Sequence, residues 1–126
     1  MSAGALKILV VEDEAGILEE IADFLRRRRF DVSTSGDLGA ARRALADSDA
    51  WPDVVVTDVK LPDGDGLELV RELGANELTR PRLIVMTGHL DQDSVRDARQ
   101  RGAEAVLMKP FALRALLKQI DEPAAA

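Results

Sequence analysis

Val54-Val55-Val56-Thr57-Asp58, continuing as Val59-Lys60-Leu61-Pro62-Asp63-Gly64-Asp65-Gly66, is the stretch that decides the fold. Three β-branched apolar residues in a row read as a buried strand, and Pro62, Gly64 and Gly66 end it in a loop. Asp58 therefore stands at the strand's C-terminal end, where open α/β sheets bind ligands. Other apolar runs end in polar groups as well: Glu12 and Asp13 after residues 6–11, Thr87 after 82–86, and Lys109 after 105–108. These groups are expected to converge, with Asp58 as the acceptor of a phosphoryl group.

Outward from that strand, helical and extended patterns alternate. Ile17, Leu18, Ile21, Phe24 and Leu25 recur at helical spacing and predict a helix that ends in Arg26-Arg27-Arg28-Arg29. Residues 30–34 alternate and predict a half-exposed edge strand. Ser35 or Asp37 is the expected N-cap of a second helix carrying Leu38, Ala41, Ala44 and Leu45. Trp51 is expected to pack over a helix end. Leu67, Leu69, Val70 and Leu73 predict a third helix stopped by Gly74. Residues 91–101 predict a weakly amphipathic fourth helix capped by Gly102, and Leu113, Leu116, Leu117 and Ile120 line a fifth. Five strand–helix alternations imply an α/β protein with a parallel sheet clad by helices on both faces, its crossovers right-handed.

Composition limits the function classes. The chain has 126 residues, 46% hydrophobic and 32% charged, which suits one globular domain rather than a disordered segment. Residues 1–122 are expected to form that domain, and 123–126 a flexible tail or the start of a linker. No cysteine is present, so disulfides, thiolate metal sites and thiol nucleophiles are excluded. No secretory signal or membrane-length apolar run is visible, and a cytoplasmic location is the expectation. The net charge of −6 argues against direct nucleic-acid binding. The arginine run reads as the last turn of a helix, where cations suit the dipole, in preference to a phosphate-backbone contact.

The chemistry follows from residue types. Adjacent acids such as Glu12 and Asp13 repel each other unless a cation sits between them, and an all-oxygen set with remaining waters suits Mg²⁺. A carboxylate such as Asp58 can take a phosphoryl group as an acyl phosphate. That transfer is mostly positioning and charge neutralisation. Lys109 could supply the cation and Thr87 the hydroxyl. Pro110 permits a cis bond that would aim Lys109 inward. Asp63-Gly64-Asp65-Gly66 lacks the ligand spacing and closing Glu of a calcium loop. His89 is either a loop residue in water or a flanking group that modulates hydrolysis.

VVEDE, VVVTDVKLPDGDG, VMTGH and LMKPF, in that order, resemble the receiver domain of bacterial two-component response regulators, over residues 7–120. The resemblance implies a three-layer, flavodoxin-like (βα)5 doubly wound sheet with strand order 2-1-3-4-5. It implies that Asp58 accepts a phosphoryl group from a phosphohistidine on a histidine kinase or histidine phosphotransfer protein. Glu12 and Asp13 match the acidic pair that holds Mg²⁺ with Asp58, and the backbone carbonyl of Lys60 matches the remaining protein ligand. Thr87 matches the hydroxyl residue that moves toward the phosphoryl group, and Lys109 the lysine bound to it. The expected outcome is a switch at the face of the fourth helix, fifth strand and fifth helix, acting on a downstream protein target or fused output domain. A monomer or weak homodimer is expected, without enzymatic turnover of an external substrate.

One position departs from the pattern. Receivers of this family usually carry Tyr or Phe three residues before the lysine; here that position is Val106, and the chain has no tyrosine. The signal then has to leave through residues 88–91, and Lys60 and His89 are expected to influence acyl-phosphate lifetime. A non-phosphorylated interaction module on the same fold is the alternative. A flavin protein would need a glycine- and hydroxyl-rich loop where Glu12-Asp13-Glu14 stands. An aspartyl phosphatase would usually need an acid at position 60.

Overall fold

A computed structural model describes residues 5–47, 51–75, 80–88 and 92–122. The strands are β1 (Lys7–Val11), β2 (Asp31–Ser35), β3 (Val54–Asp58), β4 (Lys60–Leu61), β5 (Gly64–Asp65), β6 (Arg82–Thr87) and β7 (Ala105–Met108). The helices are α1 (Ala15–Arg26), α2 (Leu38–Leu45), α3 (Gly66–Gly74), α4 (Gln92–Gln100) and α5 (Leu113–Asp121). β2-β1-β3-β6-β7 pair in that order as a parallel sheet, while β4 and β5 form a separate small antiparallel hairpin. Numbered among the sheet strands alone, the order is 2-1-3-4-5, as the resemblance implied.

Successive residues of a strand point to opposite faces, and the core divides accordingly. Leu9, Val11, Val55, Leu83 and Val85 face one layer with α2, α3 and α4, through residues such as Ala41, Val70 and Ala98. Ile8, Val10, Val54, Val56, Ile84 and Met86 face the other, with Ile21 and Leu25 of α1 and Leu116 and Ile120 of α5. β3 is buried along its whole length, which is why its sequence is a continuous apolar run rather than an alternating one. Each fully buried Leu or Ile contributes about 2 kcal/mol over leaving it exposed.

The helix ends follow their capping residues. Asp37, rather than Ser35, caps α2 by accepting the Ala40 N–H at 2.7 Å. Asp65 and Glu68 form a reciprocal capping box at the start of α3. Of the four arginines expected in the last turn of α1, Arg26 closes the helix and residues 27–29 form the turn after it. Arg26 donates to the Val32 carbonyl at 3.0 Å, and Arg28 lies 4.0 Å over the Phe24 ring. Trp51 is partly buried against the layer of α2, α3 and α4.

Some boundaries differ from those expected. β2 starts at Asp31, not Phe30, because the Phe30 N–H is used by the end of α1, on the Leu25 carbonyl. It runs on to Ser35, whose carbonyl accepts the Glu12 N–H at 3.0 Å. β1 starts at Lys7, one residue later than read, β6 ends at Thr87, one residue later, and α4 ends at Gln100, one residue earlier, while its expected first residue, Asp91, lies outside the described residues. The stretch after Asp58 is not a plain loop but the β4–β5 hairpin. His89, most of 88–91, and 123–126 lie outside the described residues.

Candidate functional site: an acidic pocket at the C-terminal ends of the strands

Parallel registers carry the strand ends to one rim. Val11 pairs with Thr57, Asp58 with Met86, and Thr87 with Met108, so the residues that follow each strand emerge side by side. One carboxylate oxygen each from Glu12, Asp13 and Asp58 lies within 4.8 Å of the others; this is the one such cluster among the described residues. Glu12 is buried (1% exposed) and Asp58 nearly so (7%), while Asp13 is open to solvent.

Lys109 enters from β7. Its ammonium donates to Oδ2 of Asp58 at 2.7 Å and to Oε1 of Glu12. The Lys109–Pro110 bond is cis. The Lys109 backbone N–H donates to the Thr87 carbonyl at 2.8 Å, which seats Thr87 (8% exposed) beside it. Oδ1 of Asp58 accepts the Lys60 N–H at 3.3 Å, and Oε2 of Glu12 accepts the Glu14 N–H at 3.1 Å. All seven positions singled out from the sequence except His89 can thus be placed: Glu12, Asp13, Asp58 and Lys109 meet, and Lys60 and Thr87 border them.

The electrostatics follow from burial and crowding. Desolvation raises the Glu12 pKa above 4.5, the Lys109 and Glu14 hydrogen bonds pull it down, and the nearby Asp58 charge adds to the rise. For Lys109 burial disfavours the charged form, but hydrogen bonds and charge from Asp58 and Glu12 outweigh it and the pKa rises. Lys109 is therefore a cation at neutral pH, balancing carboxylates that would otherwise repel one another.

The donor set fits Mg²⁺. It is built of oxygens alone, the carboxylates converge, and exposed Asp13 leaves one side open for the waters that this ion keeps. A cleft of about 470 Å³ opens from Asp58, Thr87 and Lys109 beneath α4, with Val85, Val95, Ala98 and Val106 among its walls. A second groove of about 390 Å³ borders Lys109 on the other side, lined by Ile17, Ile21, Pro110, Phe111 and Leu113.

Two features around the pocket are absent from the sequence reading. Gly66 lies against Asp58, so that a Cβ there would stand 1.9 Å from the Asp58 carbonyl oxygen. Asp63 accepts hydrogen bonds from the N-terminus of α2. The Asp-Gly-Asp-Gly run was the available signal, legible as a turn but silent about partners.

A family model for the response regulator receiver domain matches residues 8–121. The chain belongs to that family. Among curated relatives, it is 32% identical over 116 residues to the transcriptional regulatory protein PdtaR of Mycobacterium tuberculosis, covering 91% of this chain and 55% of that protein. To the phosphate regulon transcriptional regulatory protein PhoB of Escherichia coli it is 32% identical over 118 residues, covering 92% and 50%. The chain thus spans about half the length of the curated relatives it matches. Among solved structures, a CheY-like receiver domain protein from Methanospirillum hungatei superposes with a TM-score of 0.84 at 28% identity, covering 94% of this chain and 93% of that one. A BeF3-activated DrrB receiver domain gives 0.79 at 31% identity, covering 93% and 95%. As a receiver domain the chain is a signalling module of two-component systems rather than an enzyme acting on an external substrate. No helix among the described residues is long and apolar enough to cross a membrane.

Proposed function

We propose that Asp58 accepts a phosphoryl group from the phosphohistidine of a histidine kinase or histidine phosphotransfer protein. The observation that carries this reading is the Asp58 carboxylate itself, held between the Lys109 ammonium and the Lys60 N–H beside two further acids. In the transfer a carboxylate oxygen of Asp58 bonds to phosphorus, the P–N bond breaks, and the departing imidazole keeps the electron pair and takes a proton. Glu12, Asp13, Asp58 and the Lys60 carbonyl would hold Mg²⁺, which supplies positive charge to the phosphoryl oxygens. Lys109 exchanges its carboxylate partners for a phosphoryl oxygen, and Thr87 turns its hydroxyl to another.

The apolar groove lined by Ile17, Ile21 and Phe111 shares Lys109 with the pocket, so a phosphodonor protein seated there would lie beside Asp58. The response is a two-state repacking of α4, β7 and α5 that acts on a downstream protein or fused output domain. The cleft beside Val106 gives α4 room to move, and half-exposed Met108 (49%) lies on the same face. Residues 1–122 act as the receiver, as a monomer or weak homodimer in the cytoplasm.

Incubation with radiolabelled acetyl phosphate, or with a panel of phosphorylated histidine kinases, with and without Mg²⁺, tests the assignment. Label is expected on the wild type with Mg²⁺ and lost in Asp58→Ala. Persistent label in that variant would move the acceptor elsewhere. A wild type that never labels would favour the interaction module that works without phosphorylation.

A further inference from the structure

The hairpin that follows Asp58 is pinned at both ends. At its base, the Gly66 N–H donates to the Val59 carbonyl at 2.6 Å, and Gly66 packs against the Asp58 backbone. At its tip, Asp63 reaches a helix 25 residues earlier in the chain. Oδ1 accepts the Leu38 N–H at 2.8 Å, and Oδ2 accepts the Gly39 N–H at 2.9 Å. Gly64, beside it, has φ +152° and lies so close to Leu38 that a Cβ would stand 2.7 Å from its δ-methyl carbon. Leu38 is itself 1% exposed, so the tip rests on a fixed point of the core.

α2 does not need Asp63 as its own cap. Asp37 already fills that place by accepting the Ala40 N–H. Asp63 takes the two N–H groups that Asp37 leaves open, and it does so from the loop that carries the phosphoryl acceptor. Between the two pins run Lys60 and Leu61, paired with Asp65 and Gly64, and the Lys60 N–H touches Oδ1 of Asp58.

We propose that Asp63 is a positioning residue for the acidic pocket: by tying the hairpin tip to the N-terminus of α2, it fixes the Lys60 backbone beside Asp58. α2 thereby becomes part of the frame on which metal binding at the pocket depends. The inference rests on the reading of Asp58 and the Lys60 carbonyl as Mg²⁺ ligands.

The test compares the wild type with Asp63→Ala, Asp63→Asn and Asp37→Ala, by calorimetric Mg²⁺ titration and by amide NMR of Leu38 and Gly39. In the wild type, Mg²⁺ is expected to shift both amide resonances. Asp63→Ala should weaken Mg²⁺ binding roughly tenfold, the low end of what outer-shell partners of a metal site contribute, and abolish those shifts. Asp63→Asn, with one acceptor oxygen, should fall between. Asp37→Ala uncaps the same helix without touching the hairpin, and should leave Mg²⁺ affinity close to the wild type. Equal losses in Asp37→Ala and Asp63→Ala would reduce the effect to helix stability and overturn the positioning role. A wild type that binds Mg²⁺ while Asp63→Ala matches it overturns this inference alone; a wild type that binds none overturns the underlying ligand assignment with it.

Discussion

The ammonium of Lys109 stands 2.7 Å from Oδ2 of Asp58 and donates to Glu12 as well, so a single side chain from the end of β7 neutralises acids from the ends of β1 and β3. That bridge joins residues 97 and 51 positions apart in the chain. Lys109→Met should destabilise the metal-free protein by about 1–3 kcal/mol, since Glu12 and Asp58 lose their counter-charge while still buried. Mg²⁺ should then recover more stability in the variant than in the wild type. Urea unfolding with and without Mg²⁺ checks both statements.

Gly66 has no space for a side chain. Gly66→Ala should cost about 2 kcal/mol or more, because the intruding atom meets backbone at Asp58 and the Thr57 hydroxyl at 3.0 Å, neither of which can rotate away freely. Thermal unfolding measures the loss, and phosphoryl labelling of the folded fraction should fall with it.

At the opposite end of the sheet, Arg82 clamps the last turn of α5. Its guanidinium donates to the carbonyls of Ile120 at 2.9 Å and Gln119 at 2.5 Å, while holding Glu104 at 2.8 Å. Arg82→Ala should lower stability by about 2 kcal/mol and speed amide exchange at the C-terminal turn of α5. Arg82→Lys, a point charge without the planar fork, should recover less than half.

The Asp63 carboxyl is held below its ordinary 3.8 by the N–H groups of Leu38 and Gly39. The folded state therefore binds fewer protons than the unfolded chain near that value. The stabilising contribution is present above pH 3.8 and is lost as the pH falls through the lower folded-state value. The difference in urea midpoint between the wild type and Asp63→Asn should accordingly be larger at pH 6 than at pH 3. A difference that does not change with pH would mean the carboxylate charge is not what holds the hairpin tip.

Val106 borders the cleft beneath α4, and the chain contains no tyrosine. Val106→Tyr should fold with a stability change within about 1 kcal/mol, its ring entering open space. Its ring signals should shift when acetyl phosphate and Mg²⁺ are added. Ring signals that ignore phosphorylation would show that the cleft takes no part in the response.

What the residues revealed on their own, and what they did not, divides by distance and by periodicity. The run Val54-Val55-Val56 marks a buried strand because both of its faces are covered, and the alternation around it implied a parallel sheet, while the order of its strands came only from the family resemblance. The pocket was legible because each contributor stands at or just past the C-terminal end of an apolar strand. The β4–β5 hairpin was not, since two-residue strands carry no period. Nor was the reach of Asp63 to α2 or of Arg82 to α5, whose partners lie 25 and 38 positions away and leave no local pattern. The start of β2 was misplaced by one residue because the end of α1 competes for the Phe30 N–H, a tertiary effect that alternation cannot report.

The sheet is clad on both sides, and its strands send alternate side chains into two cores that do not mix. Asp58 ends the central strand of that sheet, so it stands where the two cores share one wall. Under the proposed phosphorylation, a shift in the backbone at Asp58 would border the layer of α4 on one side and that of α5 on the other, without any path having to tunnel through the packed interior.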